Sequence, residues 1–300
     1  MATTPYLTHF LEDHRLPESY LVQAETHFSP ILVRIMEQRH QKTPIILGIN
    51  GSQGSGKTTL ADYLRTRLKH EHKLNVVSLS IDDFYLTKAE RLTLSESVHP
   101  LLKTRGVPGT HDMKLTKTTL SRLRSQTPET VAIPRFNKAC DDRHPESNWD
   151  SVQAPIDIII LEGWCVGSPP QPESALEEPI NTLEKEEDKQ GLWRTFSNRK
   201  LATEYADLFQ QVDTWVMLQA PSFDCVYQWR LQQEKKLAEK LQQQSLTKQE
   251  NTKTTGVMSD NEIKRFVQFY QRITEHTLKQ LPKKVDLLFT LNTKREIQSS

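Results

Sequence analysis

Gly51-Ser52-Gln53-Gly54-Ser55-Gly56-Lys57-Thr58 fits the pattern G-x-x-x-x-G-K-[ST] at every fixed position. This element works only between a strand and a helix, so it constrains the fold more than any other feature of the chain. Both flanks are present. Ile45-Ile46-Leu47-Gly48-Ile49 is an apolar strand run, and Thr58–His70 reads as the helix that follows. The glycines let successive backbone N–H groups curl around phosphate oxygens, and the helix N-terminus adds its partial positive charge. Lys57 is placed to reach the β- and γ-phosphates of a nucleoside triphosphate, and the Thr58 hydroxyl to ligate Mg²⁺. The nucleotide-binding candidates are therefore Gly51, Ser52, Gln53, Gly54, Ser55, Gly56, Lys57, Thr58 and Thr59, with ATP and Mg²⁺ as the expected cofactors.

The rest of the chain repeats the alternation that this unit begins. Strand runs are expected at Pro44–Ile49, Asn75–Ser80, Val131–Pro134, Asp157–Leu161, Asp213–Leu218 and Val285–Leu291, separated by helical stretches. Several are continuously apolar, as parallel strands covered on both faces are. The expected class is α/β: a doubly wound, mostly parallel sheet with helices on both faces. The first forty residues read as helical, with Ser29-Pro30 as a helix start, and Thr43-Pro44 ends that segment. Ile263, Phe266, Val267, Tyr270 and Ile273 stand at helical spacing, their aromatic neighbours reading as core. Residues 168–190 are rich in Pro and acid and read as an exposed loop, and the polar run 240–256 as a mobile one. The expected organisation is a helical extension over 1–42 and one phosphate-loop domain over 43–300.

Charge and cysteine usage narrow the partners. The 39 Lys+Arg and 38 Asp+Glu leave a net charge of +1, so no global field draws in nucleic acid or an anionic membrane. No apolar run approaches the roughly 20 residues of a spanning helix. Cys140, Cys165 and Cys225 are scattered and suit reduced thiols, which with the polar N-terminus reads as a cytoplasmic protein.

Two acidic landmarks fall where strands end. Ser80-Ile81-Asp82-Asp83-Phe84-Tyr85 follows the second strand, and in such a sheet that end lies beside the γ-phosphate. A carboxylate there can take a proton from an attacking hydroxyl, which makes Asp82 and Asp83 the candidates for a base. Asp157-Ile158-Ile159-Ile160-Leu161-Glu162-Gly163 is a buried strand ending in one carboxylate, so Glu162 joins Thr58 as a metal-site candidate, while Asp157 reads as a solvated boundary residue. Asn292-Thr293-Lys294-Arg295 does not fit the N-K-x-D element of GTPases, which disfavours guanine.

Five ordered motifs now carry a resemblance. Ile81-Asp82-Asp83-Phe84-Tyr85-Leu86-Thr87, Arg105-Gly106-Val107-Pro108-Gly109-Thr110-His111-Asp112, Leu161-Glu162-Gly163-Trp164, Tyr227-Gln228-Trp229-Arg230-Leu231-Gln232-Gln233-Glu234 and Met258-Ser259-Asp260 resemble the D-glycerate 3-kinase family. That family sits within the wider group of phosphoribulokinase, uridine kinase and pantothenate kinase, and the resemblance covers roughly residues 43–295. It implies a phosphate-loop kinase fold with a mobile helical lid, here about 221–258, and transfer of the ATP γ-phosphate to a small-molecule hydroxyl. It implies Asp82 as the catalytic base, Glu162 at the metal, and Arg230 as the lid arginine that joins Lys57 on the phosphates. The lysines Lys235, Lys236 and Lys240 of the same helix read as a solvated face.

A glycerate-like acceptor carries a carboxylate, so its pocket calls for fixed cationic donors. Arg105, Arg135 and Lys138 are the candidates, with Asp83, Tyr85, His111 and Asp112 beside them. Arg143 reads as a surface charge, and Thr110 or Asp112 as the cap of the following helix. The chain departs from the family at Phe136-Asn137-Lys138-Ala139, where glycerate kinases carry Tyr-Asp-Lys-Ser, so a nucleoside, a pantothenate-like alcohol or another sugar acid stays open as acceptor. A nucleotide-driven switch or assembly factor is the reading from a different class.

Overall fold

Strand β1 (Ile45–Gly51) is buried along its whole length, and its residues divide between two cores. Ile46 faces one apolar cluster, and Ile45, Leu47 and Ile49 face the other. This alternation is what a central strand covered on both sides produces. The computed structural model describes residues 4–232 and 258–298. The remaining strands are β2 (Val76–Ser80), β3 (Thr130–Ile133), β4 (Phe136–Asn137), β5 (Asp142–Arg143), β6 (Asp150–Gln153), β7 (Ile158–Gly163), β8 (Thr214–Gln219) and β9 (Leu287–Thr290). The main sheet has the order β2-β7-β1-β8-β9, and every neighbouring pair in it is parallel.

Register brings the functional ends of three strands level. Ile49 pairs with Glu162, Ser80 pairs with Glu162 from the other side, and Gly51 pairs with Leu218. The loops that leave β1, β2 and β7 therefore meet at one end of the sheet, in the crevice outside the strand carboxyl ends.

Helices cover both faces. On one lie α1 (Pro5–His14), α2 (Ser19–Arg39) and α3 (Lys57–His72), which bury Phe10, Phe28, Ile31, Leu60 and Leu64. Helix α4 (Lys88–Ser97) leads away from the end of β2, opened by a capping box between Thr87 and Glu90. The other face holds α5 (Met113–Leu123), the continuous run formed by α7 (Leu192–Lys200), a π turn and α8 (Ala206–Phe209), and α10 (Asp260–Gln280). Short α6 (Thr182–Glu187) packs on α10, and residues 223–232 are the described part of α9. The expected lid over 221–258, the run 240–256, and Lys235, Lys236 and Lys240 fall largely or wholly outside the described residues. Among the described residues no helix is long and apolar enough to cross a membrane.

Four sequence expectations need correction. Helix α2 begins at Ser19 and runs through Pro30. The proline forfeits one internal hydrogen bond, but burial of Phe28, Ile31, Leu32 and Ile35 holds the helix together across it. The run Val131–Pro134 forms β3, outside the parallel sheet, paired antiparallel with β6. Residues 168–190 are largely exposed as expected but are not merely a loop, because they carry a 3₁₀ turn, α6 and two buried acids. Glu184 is fully buried and pairs with Arg272 of α10 at 2.6 Å, and buried Asp188 pairs with Arg194 at 3.0 Å. Their acidity is matched by buried cations on elements far along the chain, which local composition does not reveal. Finally, Asp157 is only partly solvated: Arg39 pairs with it at 2.8 Å and the Asn75 N–H donates to it.

Candidate active site

The phosphate loop takes its shape from glycine. Gly54 and Gly56 adopt φ values of 80° and 92°, the left-handed region that other residues enter only at a cost. At Gly51 a Cβ atom would lie 2.4 Å from the Ser55 hydroxyl, so the loop could not close. At its far end Thr58 Oγ1 donates to Glu162 Oε1 at 3.0 Å, and Lys57 Nζ lies 3.9 Å from Glu162 Oε2. Burial raises the Glu162 carboxyl above its ordinary range, with Lys57 working against that shift. The hydroxyls of Ser52 and Ser55 and the Oε2 atom of Glu162 are buried without a hydrogen-bond partner. Such orphaned groups are costly unless something satisfies them. A polyphosphate in the loop and a divalent cation between Thr58 and Glu162 fit the donor set. Among the described residues no cluster of three His, Cys, Asp or Glu side chains could hold a metal unaided, which suits a cation that takes its remaining ligands from phosphate and water.

The two aspartates diverge after β2. They occupy a single turn of 3₁₀ helix, Ile81–Phe84, which turns their carboxylates toward different partners. Asp82 accepts from Lys138 Nζ at 2.8 Å and from the Tyr85 hydroxyl at 3.0 Å. Partial burial works to raise its pKa, but the cations of Lys138 and Lys57 prevail and hold it well below the usual carboxylate range. Asp83 turns toward β4, where Arg135 donates at 3.0 Å and the Phe136 N–H at 3.2 Å. Burial raises its pKa, partly offset by Arg135. Asp82 is thus the carboxylate that shares the electrostatics of the phosphate loop, and Asp83 orders the segment that carries Lys138.

A buried column stands behind them. The rings of Tyr85 and His111 stack at 4.3 Å between centroids, and His111 Nδ1 lies 2.5 Å from the Tyr205 hydroxyl. That hydroxyl accepts the Gly109 N–H, which leaves its proton for Nδ1. Burial pushes the His111 pKa down to about 4 against the pull of Asp82, so the ring is neutral with its proton assigned to Nε2. Nε2 is buried without a hydrogen-bond partner.

The candidate cations are engaged by acids. Arg105 pairs with Asp141, and Arg135 bonds Asp150 at 2.7 Å besides Asp83. Arg143 is not a surface charge: it is half-buried, donates to the Tyr85 carbonyl at 2.9 Å, and pairs at 3.2 Å with Asp112, which also caps α5. Arg230 lies over the Phe266 ring, 5.2 Å from its centroid, and acts on the Tyr270 hydroxyl beyond. The Asn137 side chain accepts the N–H groups of Ala139 and Cys140 and so shapes a turn. Three residues escaped sequence reasoning. Tyr205 orients His111, and fully buried Arg91 bonds the carbonyls of Leu86, Lys103 and Asp141. Arg295 donates from Nε to the Gly54 carbonyl at 2.7 Å. Tyr205 and Arg91 sit in amphipathic helices with no motif to mark them, while Arg295 belongs to the very segment that fails the guanine pattern.

No known protein-family profile matches the chain. An uncharacterized kinase of Schizosaccharomyces pombe, mug58, is 36% identical over 234 residues, which are 76% of this chain and 78% of that protein. The chloroplastic D-glycerate 3-kinase of Arabidopsis thaliana is 32% identical over 235 residues; this chain spans 46% of its length. Among solved structures, D-glycerate 3-kinase from Cryptococcus neoformans superposes with a TM-score of 0.70 at 28% identity, covering 90% of this chain and 95% of that one. The chain belongs to the D-glycerate 3-kinase family of P-loop kinases. As a member of the family it is a phosphotransferase with an alcohol group as acceptor.

Proposed function

We propose that the protein transfers the γ-phosphate of Mg²⁺–ATP to a hydroxyl of D-glycerate or a similar hydroxy acid. The observation that carries this reading is the placement of Asp82, an ionised carboxylate coupled to both Lys57 and Lys138 at the end of the strand next to Glu162. Bound Mg²⁺–ATP supplies the phosphoryl group and neutralises part of its charge; Thr58 and Glu162 would hold the metal side. Asp82 accepts a hydrogen bond from the acceptor hydroxyl, aims it in line with phosphorus, and takes its proton as the bond to phosphorus forms. Its low pKa makes it an orienting group first and a base only late, which suits a loose transition state in which the hydroxyl loses its proton last. Lys57, with Arg230 from the lid helix, neutralises charge on the transferring group, so catalysis is positioning plus electrostatics.

Lys138 and Arg135 stand at the rim of the site, with side-chain exposures of 62% and 33%, and can exchange an aspartate for the carboxylate of an acceptor. One observation favours a different acceptor of the same kinase reaction. The arginines Arg105, Arg135 and Arg143 already face acids, and Asn137 serves a turn, so a nucleoside, a pantothenate-like alcohol or another sugar acid meets a nearly neutral pocket. The deciding experiment is ADP release from Mg²⁺–ATP with and without D-glycerate. A glycerate-dependent rise with phosphoglycerate as product supports the acid. No rise, with turnover on one of the other alcohols, moves the assignment to that acceptor.

A further inference from the structure

The cations on the acceptor side are each tied to an acid, but the acids differ in what else they do. Lys138 and Arg135 hold Asp82 and Asp83, the two carboxylates of the turn after β2. Arg143 holds Asp112, whose other oxygen caps α5 through the Leu115 N–H. Arg105 holds Asp141, and the Asp141 carboxylate also faces a second arginine, Arg91, at 3.0 Å. We propose that Asp141 is an internal stand-in for the carboxylate of the acceptor: it engages Arg105 until a hydroxy acid arrives, and the acid takes Arg105 from it. The inference rests on the hydroxy-acid reading above and names the contact that sets the selectivity of that site.

Three observations support it. Arg105 belongs to the same cluster of charges as Asp82. It lies close enough to Lys138 and to the Tyr270 hydroxyl to act on both, and Asp82 and Arg230 act on that same hydroxyl. A small acid whose hydroxyl meets Asp82 presents its carboxylate to this cluster. The guanidinium is also preset for a planar partner. It lies over the Phe136 ring, 5.4 Å from the centroid, and the Arg105 carbonyl accepts from the Tyr270 hydroxyl at 3.4 Å. A fork held in this way suits a carboxylate, whether that of Asp141 or that of a ligand. Finally, Asp141 can give up Arg105 without being stranded. Buried Arg91 is anchored on the carbonyls of Leu86 and Lys103, bonds the Asp141 carbonyl at 2.6 Å, and so keeps its place beside the Asp141 carboxylate. The Asp141 side chain is 37% exposed, so water replaces the partner that leaves. Asp141 also sits at φ 54°, in left-handed backbone, which marks a constraint that its surroundings impose on the turn between β4 and β5. A contact of this kind lowers the apparent affinity for the acceptor by the fraction of molecules in which it is open.

The test is steady-state kinetics with D-glycerate and with D-glyceramide, as substrate or as competing ligand, since the amide keeps both hydroxyls and lacks the charge. Asn enters left-handed backbone more readily than most residues, so Asp141→Asn removes the carboxylate and keeps the turn. It is expected to lower the KM for D-glycerate about fivefold or more, and to move the constant for D-glyceramide by less than about twofold. Adding Arg105→Gln to Asp141→Asn is expected to abolish the gain. An unchanged or raised KM for D-glycerate, an equal gain on D-glyceramide, or a gain that survives the loss of Arg105 overturns the proposal. Loss of the native circular dichroism in the Asp141 variant overturns it as well, because the pair would then hold the ribbon rather than wait for a ligand. A parent protein that does not phosphorylate D-glycerate removes the acceptor reading and the exchange together. A parent that does, beside an Asp141 variant with any of the overturning results, removes the exchange alone.

Discussion

Two adjacent aspartates meet two different cations, and the single 3₁₀ turn that separates their directions assigns the work. Asp82→Asn keeps the shape but abolishes proton acceptance, and is expected to lower kcat by about 10²-fold or more with little change in nucleotide affinity. Asp83→Asn loosens the grip on Arg135 and the Phe136 N–H, and is expected to raise the acceptor KM more than it lowers kcat. Near-normal turnover by the Asp82 variant together with an inactive Asp83 variant would reverse the two roles. His111 makes a prediction about stability. Its pKa of about 4 in the folded chain lies below the ordinary 6.5, so between those values the unfolded chain binds more protons and acid favours unfolding. The neutral buried ring therefore contributes about 3 kcal/mol above pH 6.5 that is lost progressively as the pH falls toward 4. Urea titrations of the parent and of His111→Gln at pH 7 and pH 4.5 check this; a parallel decline in both proteins would show that other groups carry the acid sensitivity.

The elements divide into those that hold chemistry and those that hold shape. Parallel strands β1, β2 and β7 could be read from their continuous apolar runs, and the phosphate loop, Asp82 and Glu162 follow because each lies at a strand end with a recognisable neighbour. Pairings that join distant stretches were not legible. Glu184 and Arg272 are 88 residues apart, and nothing local distinguishes them from the solvated charges around them. The same is true of Tyr205 under His111 and of Arg295 on Gly54, where the signal is spatial and a single sequence carries only order along the chain. Pro30 misled in the opposite direction, because a local start signal was overruled by burial that carries the helix back to Ser19. The buried pair can be tested as an element. Arg272→Met strands a buried carboxylate and is expected to cost about 3–5 kcal/mol, while Arg272→Met with Glu184→Leu recovers most of that loss. Thermal and urea unfolding of the three proteins measure it, and additive losses would show that the two side chains do not act as a pair.

At the level of the whole molecule, one end of the sheet gathers the phosphate loop, Asp82 and Glu162. In the proposed reaction Glu162 would hold the metal side through Oε2, an oxygen with no hydrogen-bond partner of its own. Chelation of Mg²⁺ is therefore expected to abolish phosphoryl transfer reversibly, and Glu162→Gln to raise the Mg²⁺ concentration needed for half-maximal rate by about tenfold. Titrating the metal into both proteins checks this, and an unchanged requirement would remove Glu162 from the metal. The residues proposed to meet the acceptor sit differently from those proposed to meet the phosphates. Lys57 opens α3 and Glu162 lies in β7 of the five-stranded sheet, whereas Lys138 follows β4 and Arg143 lies in β5, a ribbon of two residues on each side that is tied to the frame by ion pairs and a few hydrogen bonds. Rewriting that ribbon changes what faces Asp82 and Asp83 but not the sheet that carries the phosphate loop and Glu162. In evolutionary terms, the nucleotide-binding frame can be inherited unchanged while the ribbon is rewritten, but every change at Lys138 also resets the charge beside Asp82.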